Sequence, residues 1–287
     1  MAKWILSAFA DEYSDGLDGQ LEVLAKGIDC LEPRFVDGIS IADLTEEQTL
    51  ALKEKLDAIG VGVRTVGSPL MKLRLDADFE PELERARRVF RNARLLGAKL
   101  IRVFSFYLPA GKTREECREE VLEKLNRMLE LAEEYGVTLC HENEADIYGE
   151  SPEQCADLLN ALGGRLKCVF DMGNFVLGDY KPYPDAYELL KEHIAYFHIK
   201  DALYAGAIVP PGCGEASVAE LLQTFDRTTD REVVVTLEPH LQTFDGFNQL
   251  TGRTFQNPCV YESREQAFLD ALQRLKKLLP YSLRNRG

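Results

Sequence analysis

The sequence lacks any long hydrophobic run. No stretch approaches the roughly 18 apolar residues that a membrane-spanning helix needs. The amino terminus, which reads Met1, Ala2, Lys3 and Trp4, also lacks the form of a signal peptide. We therefore expect a cytoplasmic protein with no membrane partner.

An excess of positive charge is missing as well. The chain has 34 basic and 48 acidic side chains, which gives a net charge of −14 at pH 7. A protein of this charge repels polyanions at long range, so nucleic acid is a poor partner. The 45% of hydrophobic and 29% of charged residues favour a soluble globular protein over a disordered one.

Paired cysteine motifs are also absent. The cysteines are odd in number, widely spaced and without a CxxC pair; they are Cys30, Cys117, Cys140, Cys155, Cys168, Cys213 and Cys259. This spacing argues against a disulfide framework and against a structural zinc knot. We expect reduced thiols, several of them in buried strands.

Short β-rich runs alternate with helical patterns along the chain, eight of each. The predicted strands lie at about 5–10, 28–36, 62–69, 99–106, 137–143, 166–174, 194–201 and 231–240. Between them the apolar spacing changes to three or four residues, as at Leu83, Ala86, Phe90, Ala93 and Leu96. Gly60, Gly97 and Gly136 mark the ends of such helices.

Strict alternation predicts right-handed crossovers and a parallel sheet, and eight units is the number at which such a sheet closes. We therefore predict an α/β fold, a (β/α)8 barrel in a single domain over residues 1–287. An open doubly wound sheet is the alternative. It loses support because the segment SAFADEYSDG after the first strand has no GxGxxG, and GxxxxGK[ST] occurs nowhere.

One segment, 241–259, shows no clear pattern. It follows the eighth predicted strand, on the face where barrel enzymes carry their active sites. We interpret it as a lid or substrate-contacting loop, with an inert surface loop as the alternative.

Each of the last four predicted strands ends in a group that can bind a metal. VTLCHEN supplies Glu142, CVFDMGN supplies Asp171, AYFHIKD supplies His198 and VVVTLEPH supplies Glu238. The carboxyl ends of barrel strands share one face, so these side chains can converge. A single such residue is more often a salt bridge, but four charges packed together are costly without a cation. Three carboxylates and an imidazole suit Mn²⁺, with Mg²⁺, Co²⁺ or Zn²⁺ as alternatives.

Glu144 is an alternative ligand to Glu142, although its register carries it past the strand end. Side chains alternate between the two faces of a strand, so Lys200 should point to the same side as His198, and His240 to the same side as Glu238. This predicts Lys200 and His240 at the mouth of the pocket.

Lys72, after the third strand, is a candidate for contact with a substrate oxygen or phosphate. For Lys72, Lys200 and His240 the alternative is a solvated rim residue. Glu32 and Arg34 are expected to pair with each other or to line the mouth.

The ordered motifs HEN, DMGN, HIKD and LEPH, preceded by SAFADE, resemble the xylose-isomerase-like TIM barrels of the sugar phosphate isomerase/epimerase family. The resemblance covers nearly the whole chain. It implies one divalent metal on Glu142, Asp171, His198 and Glu238. It also implies that Glu142 and Glu238 exchange protons with opposite faces of the substrate.

Two departures from the ketose 3-epimerases of that family stand out. They have a histidine three residues after the aspartate ligand, where this chain has Asn174, which we retain as a candidate substrate contact. They also have an arginine shortly after the histidine ligand, and the stretch KDALYAGAIVPPGCGE contains none.

The resemblance implies an isomerase or epimerase of a small sugar, polyol ketone or sugar phosphate, working by proton transfer through an enediolate. A lyase or dehydratase, like inosose dehydratases or acting on an oxidised glycoside, is the alternative. Members of the family often associate, so a homo-oligomer is allowed.

Two other classes are weaker. Endonuclease-IV-type DNA repair enzymes need several zinc ions and a positive channel, against the four histidines and the negative charge of this chain. A non-catalytic sugar-binding barrel would leave the four metal-ligand candidates without a purpose.

Overall fold

The computed structural model describes residues 1–242 and 258–279. Within them, parallel strands form a nearly closed barrel with helices between the strands, which confirms the predicted (β/α)8 fold. The strands are β1 (Lys3–Ala8), β2 (Cys30–Leu31), β3 (Gly62–Val63 and Thr65–Val66), β4 (Leu100–Val103), β5 (Thr138–Glu142), β6 (Lys167–Asp171), β7 (Ile194–Ile199) and β8 (Glu232–Leu237).

The described helices surround this barrel. They are α1 (Leu17–Leu24), α2 (Glu46–Ala58), α3 (Glu80–Leu96), α4 (Arg114–Tyr135), α5 (Pro152–Ala161), α6 (Met172–Leu177), α7 (Tyr187–Leu190), α8 (Val218–Asp226) and α9 (Arg264–Leu278). Short hairpins follow β2, at Phe35–Val36 and Ile39–Ser40, and β7, at Asp201–Leu203 and Ala207–Val209.

The ring is completed where the first and last strands meet and where β3 changes partner. β1 and β8 pair in parallel along their whole lengths, from Lys3 with Glu232 to Ala8 with Leu237. β3 is divided at Arg64: its first half pairs with β2 and its second half with β4. One short chain segment therefore joins the two ends of the sheet.

The helix boundaries follow from sequence signals. In α3 the predicted residues Leu83, Ala86, Phe90, Ala93 and Leu96 are all buried against the barrel. The helix ends at Gly97, whose φ of 82° is a left-handed conformation that glycine adopts without strain. α4 begins with a capping box between Thr113 and Glu116 and likewise ends at a left-handed glycine, Gly136.

Several predicted strands were too long. The second stops at Leu31, and Phe35–Val36 belongs to a hairpin. The sixth stops at Asp171, because the Asp171 side chain accepts the Asn174 N–H at 2.8 Å and caps α6. The eighth stops at Leu237, so Glu238 and His240 lie in the loop beyond it.

All seven cysteines lie in the described part of the chain, where none forms a disulfide. Cys30, Cys140 and Cys168 are buried in strands, as expected. Burial raises the pKa of Cys30 to about 11, so this thiol stays protonated.

Among the described helices, none is both long enough and apolar enough to cross a bilayer. Most of the predicted lid loop, residues 243–257, lies outside the described residues.

Candidate metal centre

The structure brings the four predicted ligand residues together at the carboxyl end of the barrel. Glu142 and Asp171 end β5 and β6, His198 lies near the end of β7, and Glu238 follows β8 directly. One nitrogen or carboxylate oxygen of each lies within 4.8 Å of the others, and all four side chains are buried. Residues 142 and 238 thus meet because β5, β6, β7 and β8 are neighbours in the barrel and end on the same face.

The His198 imidazole lies between carboxylates. Its Nδ1 is 2.7 Å from Glu142 Oε1 and 3.2 Å from Glu238 Oε2, and its Nε2 is 3.3 Å from Glu32 Oε1. Burial alone would lower the pKa of His198, but the charges of Glu142 and Glu32 outweigh burial and raise it well above its ordinary value. The carboxylates of Glu142 and Glu238 therefore favour a positive charge next to His198 Nδ1.

A buried arginine holds the second oxygen of Glu142. Arg102, on β4, donates from NH1 to Glu142 Oε2 at 3.1 Å. It also donates from Nε to the Ser68 carbonyl at 3.2 Å and from NH2 to the Gly67 carbonyl at 3.1 Å. These three bonds fix the guanidinium, so Glu142 keeps Oε1 directed at the cluster.

A second arginine holds Glu238 in a similar way. Arg34 NH1 donates to Glu238 Oε1 at 2.9 Å, and His240 Nε2 lies 3.2 Å from the same oxygen. Glu238 Oε2 is buried and receives no well-formed hydrogen bond from the described residues. Burial raises the pKa of Glu238, but Lys200 and His240 outweigh it, so the pKa lies well below its usual value. An ionised oxygen with only loose contacts, 3.2 Å to His198 Nδ1 and 3.5 Å to Lys200 Nζ, is therefore directed into the cluster.

Asp171 contributes through its Oδ2, which accepts a bond from Lys200 Nζ at 2.9 Å. Its Oδ1 caps α6 through the Asn174 N–H. Burial raises the pKa of Asp171 to about 7, and the charges of Glu238 and Glu142 add to this effect while Lys200 opposes it. The raised value therefore reflects mainly the removal of this carboxylate from water.

Lys200 and His240 lie deeper than the predicted position at the mouth of the pocket. Both are buried within the site instead of standing at its mouth. Lys200 Nζ contacts Asn174 Oδ1 at 3.0 Å, so Asn174 joins the same group. Gly173 leaves room for this lysine, since a Cβ at that position would lie 2.7 Å from Lys200 Cβ.

Glu144 and Lys72 form a separate pair. Lys72 Nζ donates to Glu144 Oε2 at 2.9 Å and lies 4.7 Å from the centre of the Phe104 ring. Burial would raise the pKa of Glu144, but Lys72 and Lys200 outweigh burial and lower it to about 2. Of the two glutamates considered as ligands, the structure places Glu142 in the cluster.

A second group of potential ligands adjoins the first. One ligand atom each of Glu12, Glu238 and His240 lies within 4.8 Å of the others. Arg34 already stands among them, with NH2 at 3.2 Å from Glu12 Oε1 and Nε at 2.9 Å from Asp11 Oδ2. Because a buried guanidinium supplies positive charge here, we expect a metal ion only in the first cluster.

Glu32 and Arg34 were expected to pair with each other or to line the mouth, and the structure gives them different partners. The ion pairs of Arg34 go to Asp11, Glu12 and Glu238. Glu32 lies inside the barrel and accepts hydrogen bonds from hydroxyl groups and from the His198 ring; the hydroxyls belong to Thr65, Tyr196 and Thr236.

The cluster fits a divalent ion. Three carboxylates and an imidazole are a normal donor set for Mn²⁺, Mg²⁺ or Zn²⁺. The buried Glu238 Oε2, which makes no well-formed hydrogen bond among the described residues, leaves an acceptor that a cation would satisfy.

A sequence profile described as the xylose isomerase-like TIM barrel matches residues 22–278. The chain belongs to the xylose isomerase-like TIM barrel family. The resemblance inferred from the HEN, DMGN, HIKD and LEPH motifs is thereby confirmed. Among curated proteins, no sequence matches the chain.

Solved structures agree with this xylose isomerase-like fold. The IolI protein with a bound zinc atom is 17% identical, over 96% of this chain and 98% of that chain, with a TM-score of 0.72. A D-tagatose 3-epimerase-like protein is 18% identical, over 99% and 100%, with a TM-score of 0.72. The probable 3-DHS dehydratase AsbF, involved in petrobactin synthesis, from Bacillus anthracis is 17% identical over 100% of both chains, with a TM-score of 0.70. At these identities the likeness shows the fold alone.

Sequence reasoning missed part of this xylose isomerase-like site. Arg102 was not singled out, although a charge within the apolar strand LIRVF was a signal. Asp11 and Glu12 appeared only within the SAFADE motif, yet both lie buried against Arg34.

Proposed function

We propose that this protein is a metal-dependent isomerase or epimerase of a small sugar, polyol ketone or sugar phosphate. The observation that carries the proposal is the convergence of Glu142, Asp171, His198 and Glu238 from four consecutive strands, with ligand atoms within 4.8 Å of one another. We propose these four residues as ligands of one divalent ion, Mn²⁺ in the first instance, with Mg²⁺, Co²⁺ or Zn²⁺ as alternatives. The proposed setting is cytoplasmic, within a single domain over residues 1–287.

The proposed chemistry is proton transfer next to a carbonyl group. The bound ion supplies electrostatic stabilisation of negative charge that develops on oxygen. One of Glu142 and Glu238 takes a proton from the carbon beside the carbonyl, and the electron pair of that C–H bond moves into an enediolate. The other carboxylate returns a proton to the neighbouring carbon or to the opposite face. Arg102 and Arg34 support these roles because each holds the remaining oxygen of one glutamate.

Four polar residues around the cluster are the proposed substrate contacts. Lys200 and Asn174 lie beside Asp171, and His240 lies beside Glu238. Lys72 is further out, where its pair with Glu144 leaves it partly exposed. A polyhydroxylated substrate offers oxygens that match this set of donors.

A lyase or dehydratase is the second candidate. Asn174 takes the place of the histidine found in ketose 3-epimerases of the family, which weakens the assignment to that reaction. The fold is shared with a probable dehydratase as well as with an epimerase-like protein. Elimination begins with the same abstraction of a proton beside a carbonyl, so the same residues would serve it.

Incubation in D₂O separates these outcomes. Protein loaded with Mn²⁺ is mixed with ketoses, ketose phosphates and inososes, and products are followed by NMR and mass spectrometry. Deuterium at carbon with the oxygen count retained is expected for isomerisation or epimerisation, whereas loss of water or of an aglycone identifies the lyase. Failure of the wild-type protein to bind Mn²⁺, Mg²⁺, Co²⁺ or Zn²⁺ would reject both candidates.

Variants test the two glutamates. Glu142→Gln and Glu238→Gln should each slow deuterium exchange at least about 100-fold, the usual contribution of a positioned acid or base. Glu82→Gln is the matched control, because Glu82 is a buried glutamate on α3 that accepts the Met71 N–H. Exchange by either site variant at the rate of this control would contradict the assignment.

A further inference from the structure

We infer that Glu32 is a positioning residue for His198: it holds the Nε2–H of the imidazole so that Nδ1 presents its lone pair to the metal ion. This inference rests on the proposed metal site and assigns it a residue outside the ligand set. The two residues come from β2 and β7, which lie on different sides of the ring.

Glu32 is fixed by neighbours from three strands. It follows β2 directly and its side chain is fully buried. Glu32 Oε2 accepts hydrogen bonds from Thr65 Oγ1 at 2.8 Å and Thr236 Oγ1 at 2.6 Å. Glu32 Oε1 accepts one from the Tyr196 hydroxyl at 3.0 Å and lies 3.3 Å from His198 Nε2. Three hydroxyl donors therefore orient the carboxylate before any contribution from the imidazole.

The hydrogen-bonding capacity of the two groups decides the tautomer. An ionised carboxylate only accepts hydrogen bonds, so His198 Nε2 must donate to Glu32. Nδ1 also faces a carboxylate, so a metal ion binds there by replacing the Nδ1 proton, and the lone pair is then on Nδ1 because Glu32 keeps the proton on Nε2. Nδ1 lies 2.7 Å from Glu142 Oε1 and 3.2 Å from Glu238 Oε2, on the side of the other proposed ligands.

Aromatic rings hold the plane of the imidazole. Phe9 and Tyr196 meet His198 edge-on, with ring centres 5.0 Å and 5.4 Å away. The ring is therefore held by two aromatic neighbours and by its Nε2, and its position does not depend on the metal alone. A carboxylate behind a histidine ligand orients that ligand and raises its basicity, and its loss typically weakens metal binding 10- to 100-fold.

The test measures metal affinity rather than turnover. Binding of Mn²⁺ and Co²⁺ is measured by titration for wild type, Glu32→Ala and Glu32→Gln, with Glu82→Gln as the control. Glu32→Ala should bind roughly 10- to 100-fold more weakly. Glu32→Gln keeps an acceptor oxygen and should lose less, whereas Glu82→Gln should bind like wild type.

The visible spectrum of bound Co²⁺ adds a readout that a general loss of stability would not move. It should change for Glu32→Ala and stay that of wild type for Glu82→Gln. Wild-type affinity, within about twofold, together with an unchanged Co²⁺ spectrum in Glu32→Ala would overturn the inference.

Nitrogen NMR of the Zn²⁺-loaded wild-type protein gives a test that needs no folded variant. The chain has only four histidines, so ¹⁵N-histidine labelling gives a simple spectrum. His198 should show a protonated Nε2 and a metal-bound Nδ1; the reverse assignment would overturn the inference.

Wild-type protein that binds no metal would reject the proposed function together with this inference, whereas equal binding by wild type and Glu32→Ala rejects the inference alone.

Discussion

At the scale of single residues, Arg102 is a buried cation with three partners. Its guanidinium satisfies the Ser68 and Gly67 carbonyls and pairs with Glu142. Arg102→Met would leave the buried Glu142 Oε2 without its donor, and removal of one partner from a buried ion pair typically costs about 3–5 kcal/mol. We predict a loss of this size in the free energy of unfolding, measured by urea denaturation in the presence of a chelator.

Arg118→Met is the matched control for that measurement. Arg118 makes a two-bond pair with Asp157, at 2.9 and 2.8 Å, but both side chains are about one-third exposed, at 36% each. Exposed pairs contribute about 0.2–1 kcal/mol, so this variant should lose little. Equal losses for the two arginine variants would contradict the view that burial makes Arg102 the more costly to remove.

The same residues show what sequence could predict. Glu142, Asp171, His198 and Glu238 were recognisable because each ends a periodic apolar run, and parallel strands end on one face. The partners of Glu32 were not recognisable, since they depend on which strands of the closed sheet stand opposite one another.

At the scale of elements, β6 and β3 show where periodicity fails. The run CVFDMGNF is apolar enough to continue a strand, yet the Asp171 side chain starts a helix by capping it. β3 was predicted over 62–69, but the chain shifts at Arg64 to pair with β2 on one side and with β4 on the other. The cap is a local contact that competes with the strand pattern, whereas the change of partner in β3 depends on tertiary contacts that a local pattern does not contain.

The loop between β7 and α8 is organised around one carboxylate. Asp201 is buried, and it accepts backbone N–H bonds from four residues at 2.8–3.1 Å: Ala202, Gly212, Gly214 and Ala216. Asp201→Asn replaces one acceptor oxygen by a donor, which leaves two of these amides facing an NH₂ group. We predict a loss of about 3 kcal/mol in unfolding free energy, since each unsatisfied buried group costs about 1–3 kcal/mol.

Hydrogen exchange locates this effect. One pair of amides, either Gly212 and Gly214 or Ala202 and Ala216, should lose protection in Asp201→Asn, because the NH₂ group replaces the oxygen that the pair shares. Asp76→Asn is the control: Asp76 is half exposed and pairs with the exposed Arg74, so this variant should unfold like wild type. Unchanged protection of residues 212–216 would show that other contacts hold this loop.

At the scale of the whole molecule, the net charge and the ion pairs of the site both favour a small ligand over a polyanion. The net charge of −14 opposes a polyanionic partner, and the buried cations of the site are held by carboxylates. Arg34 occupies the second group of potential ligands. A multi-metal centre for a nucleic-acid backbone is therefore less consistent with this chain than one metal ion and a small sugar.

A ligand that binds only the folded state stabilises the whole molecule. At a free Mn²⁺ concentration of about 100 times the dissociation constant, the gain is about 2.7 kcal/mol. For a chain of this size we predict a rise in Tm on the order of 5–10 °C, reversed by EDTA, in a thermal melt.

Asp171→Asn should lose this metal-dependent rise, because it removes a charged ligand but keeps an oxygen that can cap α6. Glu82→Gln should retain the rise. A melt that is the same with Mn²⁺ and with EDTA would mean that no ion joins the four strands, and the Glu142, Asp171, His198 and Glu238 cluster would then have to be explained by its own hydrogen bonds.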